Sequence, residues 1–289
     1  MDIIVKPILN DLSSYIKQKI TNFLLPIKDF SVEYTNYYTI EEIKKIKEKY
    51  PNINIFVSIN KNIQNSELKL LESTLLELDS MNLRGIFFYD LAILNLKQKL
   101  HLKTDLVWNQ THMVTNYRTC DYYYSRGVKY ALLSKEITKD EIIEIGNKSS
   151  ITPIVELIGY PTVAFSKRKL VTNYYIDSKK DIKDSIDIIE PKTKQEYYLR
   201  ENNNGVSFIM KKLVNGSFIL EELIKNNFKY ILLKEDLIDH DIFMESISNI
   251  MYYISNYDNI DFKKWLNKQA ELLGRNTNFL YRKTIYKVK

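Results

Sequence analysis

The chain has 289 residues but one cysteine, Cys120, three histidines, six prolines and seven glycines. A single cysteine excludes an intrachain disulfide, and it excludes any zinc or iron–sulfur site whose thiolates all come from this chain. The histidines, His101, His112 and His240, show no metal-ligand spacing with each other or with acids, and HExxH is absent. GxGxxG and GxxxxGK[ST] are also missing, which removes the loops that cradle phosphates in nucleotide-binding folds. There is no GxSxG elbow. No apolar run approaches the roughly 18–20 residues a bilayer span requires. The opening "MDIIVKPILNDLSSYIKQK" carries acidic and polar residues where the apolar core of a secretory leader would lie, so no leader is expected. A reducing cytoplasm is the expected setting.

Hydrophobic residues make up 45% and charged residues 27%, the balance of a folded soluble protein, and the length suits one large α/β domain or two small ones. Net charge is +6 and the pI about 8.9. That mild excess permits an anionic partner such as RNA without demanding one; a lysine-rich solvated surface is the plainer explanation.

Short apolar runs alternate with amphipathic stretches. "DIIVKP", "NFLLPI", "NINIFVSIN", "RGIFFYD", "KLHLKT", "VKYALLS", "TPIVELIGY" and "FKYILLK" read as buried strands. "SELKLLESTLLELDSM" places Leu68, Leu71, Leu75 and Leu78 on one helix face. "TIEE" (39–42) and "TKDE" (138–141) are capping boxes that start helices. Strands apolar on both faces, each followed by a helix, predict a parallel sheet covered on both sides. About eight such units predict a (β/α) TIM-like barrel, complete or imperfect, over 1–289, with a doubly wound open sheet as the alternative. The rhythm breaks at 170–205, read as an insertion or flap after the seventh strand. "DIFMESISNIMYYISN" and "DFKKWLNKQAELLG" read as closing helices. The tail from 274 to 289 has five basic residues, no acid and interleaved aromatics. It reads as an RNA-facing arm through Arg275, Arg282, Lys283 and Lys287, or as a terminal strand with a solvated lysine face.

In a barrel, function collects at the C-terminal ends of the strands. Those ends read as Asn60, Asp90, Thr104, Asp105, Ser134, Lys135, Glu136, Glu156, Lys234 and Glu235. Glu156 interrupts the apolar run "PIVELI", and an unpaired buried carboxylate costs several kcal/mol, so it needs a partner. Lys135, Arg168 and His101 are the candidates, and a purely structural ion pair is the plain alternative. Cys120 sits inside an expected helix, and nothing marks it as an activated thiolate.

The stretch "KLHLKTD…VTNYRTCDYYYSRGVKYALLSKEITKDEIIEI" resembles the collagenase-like peptidase family U32. His101 and Thr104 match that family's His-x-Ser-Thr, Thr115 and Asn116 its Thr-Asn, and Gly127-Val128 its helix end. Lys135 and Glu136 take its Arg-Glu position. Glu156, Gly159, Ser166-Lys167-Arg168 and Asn173-Tyr174 continue the pattern, and Asn60 in "VSIN" matches an earlier strand end. The likeness spans roughly residues 22–289 and is most specific over 99–175. It implies a barrel, and it implies RNA or quinone hydroxylation more than proteolysis. The chain is most similar to the short, cysteine-poor partner of a tRNA wobble-uridine hydroxylation system that forms 5-hydroxyuridine and requires prephenate. On that resemblance Glu136, Glu156 and His101 are the candidate catalytic residues, and Asn60, Thr104, Asn116, Lys135, Ser166 and Arg168 the candidate ligand-binding ones. No metal ligand is expected. Thr162 and Lys169 stand where the family carries cluster-holding cysteines, so an iron–sulfur cluster is expected on a longer paralogue rather than here. Of the later Lys-Ile-Glu-Gly-Arg motif, Glu235 remains, but Leu233, Asp236 and Leu237 replace its Lys, Gly and Arg. The expected partners are tRNA and that paralogue, with no membrane. A collagenase-like peptidase and a non-catalytic scaffold subunit are the alternatives.

Overall fold

A computed structural model describes residues 1–282. The first half alternates strictly: β1 (Asp2–Lys6), α1 (Ser13–Lys17), β2 (Asn22–Pro26), α2 (Ile40–Lys49), β3 (Asn54–Ile59), α3 (Leu68–Ser80), β4 (Gly85–Phe88), α4 (Leu91–Leu100), β5 (Leu106–Trp108), α5 (Tyr117–Ser125), β6 (Tyr130–Leu132), α6 (Lys139–Lys148) and β7 (Thr152–Gly159). An inserted unit follows, with β8 (Thr162–Ser166), α7 (Leu170–Asp177), β9 (Ser185–Ile189), β10 (Glu196–Asn202) and β11 (Gly205–Met210). The short β12 (Val214–Asn215) leads to α8 (Leu220–Lys225), β13 (Tyr230–Lys234), α9 (His240–Asn256) and α10 (Phe262–Leu273).

Strands β1 to β7 pair in parallel with their chain neighbours, and β13 pairs in parallel with both β7 and β1. The eight strands therefore close into a TIM-like barrel, and β12 adds an antiparallel edge to β7. Local signals fix the helix starts. Thr39 and Thr138 form capping boxes with Glu42 and Glu141, and Asn116, Asp239 and Asp261 cap α5, α9 and α10. In α3, Leu71, Leu75 and Leu78 are buried, as the spacing predicts, while Leu68 at the helix start is only half-buried.

Along each strand, side chains alternate between barrel interior and helix layer. Near the strand starts the interior is filled by aromatics. The Phe56 ring meets Phe87, Tyr130 and Tyr230 edge to face, with centroids 5.7, 6.4 and 6.4 Å away. An Arg84 guanidinium nitrogen donates to the Tyr230 hydroxyl at 3.2 Å and caps this plug. The interior is thus solid at one end, and the inward-facing positions left for polar side chains lie at the C-terminal mouth.

Two expectations change. "KLHLKT" is not a strand. Lys99 and Leu100 end α4, His101 follows as its left-handed cap with φ 52°, and the strand is Leu106–Trp108. Lys97 Nζ closes that helix end by donating to the carbonyls of Leu102 (2.8 Å) and Thr104 (2.6 Å). The inserted unit is also wider than 170–205, because β8 and β11 belong to its sheet, in the order β8-β11-β10-β9. It has its own small core of Val171, Tyr175, Leu199 and Val206. At Gly205 φ is +142°, and a Cβ there would lie 2.4 Å from the Ser166 carbonyl oxygen, so only glycine lets β11 start against β8.

The unit is hung over the mouth. Asn202 and Asn204 donate to the Ser31 carbonyl at 3.1 and 2.8 Å, and Phe165 packs edge to face on Tyr89. From the other side, the segment after α10 returns to the barrel. Asn278 Nδ2 donates to the Lys135 carbonyl (3.0 Å), and the Lys139 amide donates to the Leu280 carbonyl (3.0 Å). Among the described residues this segment forms no strand, and no helix is long and apolar enough to cross a membrane.

Phe56→Ala removes the ring that touches all three other members of the plug. It is expected to lower stability by about 3–5 kcal/mol, read as a fall in the urea midpoint.

Candidate functional site

Period-two alternation builds the site. Ile4, Ile154 and Leu232 face the barrel interior, so Lys6, Glu156 and Lys234, two residues on, face the same way at the mouth. All three are removed from water, which is tolerated only with partners. The partners come from the β2–α2 loop, which supplies Glu33, and from the segments just after β6 and β13, which supply Lys135 and Asp236. Lys234 Nζ lies 2.7 Å from Glu33 Oε1 and 3.6 Å from Glu156 Oε2. Lys135 Nζ lies 2.8 Å from Glu156 Oε1. Lys6 Nζ lies 2.6 Å from Asp236 Oδ1, which also accepts from the Thr35 amide (2.7 Å) and hydroxyl (2.6 Å). Asn60 accepts from the Val32 amide and donates to Glu33 Oε2 at 3.1 Å. Tyr34 sits beneath the ammoniums of Lys6 and Lys234, 5.3 and 5.5 Å from its ring centre.

The charges hold one another. Burial opposes ionisation of Lys234, but the carboxylates of Glu156 and Glu33 outweigh it and raise its pKa well above the usual lysine value. Burial likewise opposes ionisation of Glu33, and Lys234 with Lys135 overcomes it, so the carboxyl stays below its usual range. Asp236 is held low in the same way, by Lys6 and then Lys234 against burial. Lys135 differs: burial lowers its pKa by more than Glu156 restores. Its ammonium has three donors and meets one close acceptor among the described residues, Glu156 Oε1 at 2.8 Å, so donor positions of the buried Nζ stay unfilled. Asp236 Oδ2 and Asn109 Oδ1 are buried without a donor. The mouth therefore keeps unused hydrogen-bonding capacity of both signs.

Backbone shape supports this. The β13–β7 register shifts between Leu232↔Glu156 and Leu233↔Ile158, so β7 carries a bulge at the acid. A Cβ on Gly159 would come 2.7 Å from Glu156 Oε1 and 3.2 Å from Lys234 Cβ, so glycine there makes room for the ion pair.

The structure brings together Glu156, Lys135 and Asn60 among the candidates from the sequence. Lys6, Glu33, Tyr34 and Asp236 join them without having been singled out. Lys234 stood among the strand ends but not among the chosen site residues. His101 and Thr104 are corrections. Both precede β5 and so lie at the opposite end of the barrel, where Thr104 donates to Asp79 Oδ1. Arg168 is exposed and does not pair with Glu156, whose partners are Lys135 and Lys234. Glu136 is exposed on the rim, 3.3 Å from His112 Nδ1. Asn116 caps α5 through the Thr119 amide. Ser166 Oγ accepts from the Arg168 amide. Arg275 donates to Asn267, Arg282 is exposed, and Lys283 and Lys287 lie outside the described residues. Leu233, where the resemblance places a lysine, faces the helix layer, while its neighbour Lys234 delivers a cation to the mouth. Glu235 turns away from the mouth and accepts from the Ile8 amide and Tyr15 hydroxyl beside His240.

Among the described residues no three His, Cys, Asp or Glu side chains converge as metal ligands. Cys120 lies on the buried face of α5, and burial pushes its thiol up to about 12.

A closed parallel barrel with its ionisable groups at the C-terminal mouth is the frame of many barrel proteins. The family model described as peptidase family U32 matches residues 9–185, and the chain belongs to that family. tRNA hydroxylation protein P2 of Bacillus subtilis (strain 168) is 24% identical over 298 residues, covering 96% of each chain. A solved U32 peptidase structure has a TM-score of 0.45 at 13% identity, covering 55% of this chain and 70% of the other. The tryptophan synthase complex from Pyrococcus furiosus gives 0.46 at 12% identity, covering 95% and 98%. The barrel itself rests on the strand pairing described above.

Lys234→Met leaves Glu33 and Glu156 facing each other without their shared cation. A loss of about 3–5 kcal/mol at neutral pH is expected in urea unfolding. The pH dependence should also change sign at the acid end. In the wild type, the stabilisation from the lowered Glu33 pKa is present above its ordinary value of 4.5 and is lost as pH falls through the folded value. In Lys234→Met the two carboxyls share only Lys135, and protonation of one should instead relieve them, so acidification towards that value stabilises the variant.

Proposed function

We propose that this chain takes part in tRNA hydroxylation, forming 5-hydroxyuridine at the wobble position as the cysteine-poor partner of a longer, cluster-bearing paralogue in the cytoplasm. The observation that carries the reading is the similarity to tRNA hydroxylation protein P2 over 96% of both chains. An iron–sulfur cluster does not fit this chain, because its one thiol is buried and held protonated. The chemistry left to the mouth is binding and orientation. The carboxylates of Glu33 and Asp236 are poor bases, since adjacent lysines hold them ionised. Lys135 has open donor positions and suits an anionic oxygen, such as a carboxylate of prephenate, the metabolite the resemblance implies.

Peptidase chemistry finds less support. The Thr35 hydroxyl bonds to Asp236, a carboxylate already neutralised by Lys6. The hydroxyls of Ser31 and Ser58 meet a backbone carbonyl and Tyr34, not a base.

The test is nucleoside mass spectrometry of total tRNA from a strain lacking the gene. Loss of 5-hydroxyuridine and its derivatives is expected, restored by wild type and not by Lys135→Ala. An unchanged nucleoside profile in the deletion strain overturns the reading.

A further inference from the structure

The second polar feature of the mouth face lies outside the ion-pair network. A cleft of about 60 Å³ runs between the barrel rim after β3 and β4 and the inserted sheet. Its walls include Tyr89 and Phe165, the amides of Asn62 and Asn204, and Lys167. Asn60 forms part of the floor, and its other face donates to Glu33. The cleft is therefore one side chain away from the mouth network.

The charge at this rim is unbalanced. Lys61 is satisfied by Glu67 (2.7 Å) and Asn204 (2.9 Å). Lys167 is 42% exposed and reaches Glu67 only at 3.8 Å. Arg168 and Lys169 are exposed and make no ion pair among the described residues. The Arg168 amide bonds to Ser166 Oγ at 3.1 Å, which fixes the turn carrying the basic side chains.

Cations alone would suit any anion. Here they stand beside an aromatic pair and the Asn62 amide, which has both a donor and an acceptor, functions a bare phosphate does not use; the Asn204 amide is already filled by Lys28, Ser31 and Lys61. Aromatic faces take up unstacked bases, lysine and arginine take the backbone phosphates, and amides read base edges. The narrow cleft cannot admit a base that stays stacked in a duplex. We propose that this cleft is the docking surface for a single-stranded RNA loop, with phosphates on Lys167 and Arg168 and one base edge inserted beside Tyr89. The assignment rests on the tRNA reading above, and it places the RNA on the rim rather than on the C-terminal tail.

Fluorescence anisotropy of the full chain with a labelled anticodon stem–loop, and with a blunt, fully paired RNA duplex of equal nucleotide count, tests it. Wild type should prefer the stem–loop. Arg168→Ala should weaken binding about tenfold and reduce the slope of log affinity against log salt by about one. Tyr89→Ala should weaken stem–loop binding by about tenfold and leave duplex binding unchanged, and Tyr89→Phe should bind the stem–loop as wild type. Lys99→Ala, at the opposite end of the barrel, should bind as wild type, and unfolding midpoints should confirm that all variants fold. The proposal is overturned if the wild type does not bind the stem–loop, or if Lys99→Ala loses as much as Arg168→Ala. It is overturned too if both RNAs bind equally and inorganic phosphate displaces them alike, which would mark a simple phosphate site. If Arg168→Ala and Tyr89→Ala bind normally while the deletion strain lacks 5-hydroxyuridine, the cleft assignment fails alone. If they lose stem–loop binding while the deletion strain keeps 5-hydroxyuridine, the cleft stands and the hydroxylation reading fails.

Discussion

The arrangement of the mouth depends on the Lys234 ammonium, held between Glu33 and Glu156 with 4% of its side chain exposed. A buried cation in an apolar barrel costs several kcal/mol unless its partners are fixed, and fixing them constrains the chain over long distances. Glu33 lies in the β2–α2 loop, 201 residues earlier in sequence. The neighbouring Asp236 binds Thr35 in the same loop and Lys6 at the end of β1. The first strand, the last strand and the loop between β2 and α2 are thus tied at one point. That same loop offers the Ser31 carbonyl to Asn202 and Asn204, so the inserted sheet hangs from a segment the ion pairs hold in place.

How much of this was legible follows from where each residue sits in a pattern. Glu156 was legible because an acid inside "PIVELI" breaks a buried run and demands a partner. The same parity argument reaches Lys6 and Lys234, each two residues beyond an inward Ile4 or Leu232. Lysine at the end of a strand looks like ordinary solvation, however, and only closure of the barrel turns it inward. Glu33 had no signal. It lies in an irregular loop without periodicity, and only the fold shows that this loop crosses the mouth. His101 and Thr104 were misplaced for a specific reason. The last turn of α4 and its left-handed cap reproduce the apolar–polar alternation of a strand, and a three-residue β5 is too short to compete with it. The inserted unit was legible as a break in rhythm, but its first and last strands in chain order, β8 and β11, were not. Their pairing is non-local, and Gly205 is the one residue whose backbone marks the junction.

The lysines and carboxylates of the network balance, Lys6, Lys135 and Lys234 against Glu33, Glu156 and Asp236, so net charge gives the mouth little power to attract a ligand from a distance. What it has is preorganisation. Its side chains are locked by one another, and a few atoms, Lys135 Nζ, Asp236 Oδ2 and Asn109 Oδ1, are left with unfilled hydrogen bonds. A ligand that fills them need not reorganise the site, because the energetic cost of burying the charges was met when the chain folded. The exposed cations that follow β8 lie outside this balance and act at the longer range that a Debye length of about 8–10 Å allows. Attraction at the rim and orientation in the interior are therefore carried by different residues. Substitutions in the two groups should separate in salt dependence, the rim responding steeply and the buried network hardly at all, because ions of the solvent reach one and not the other.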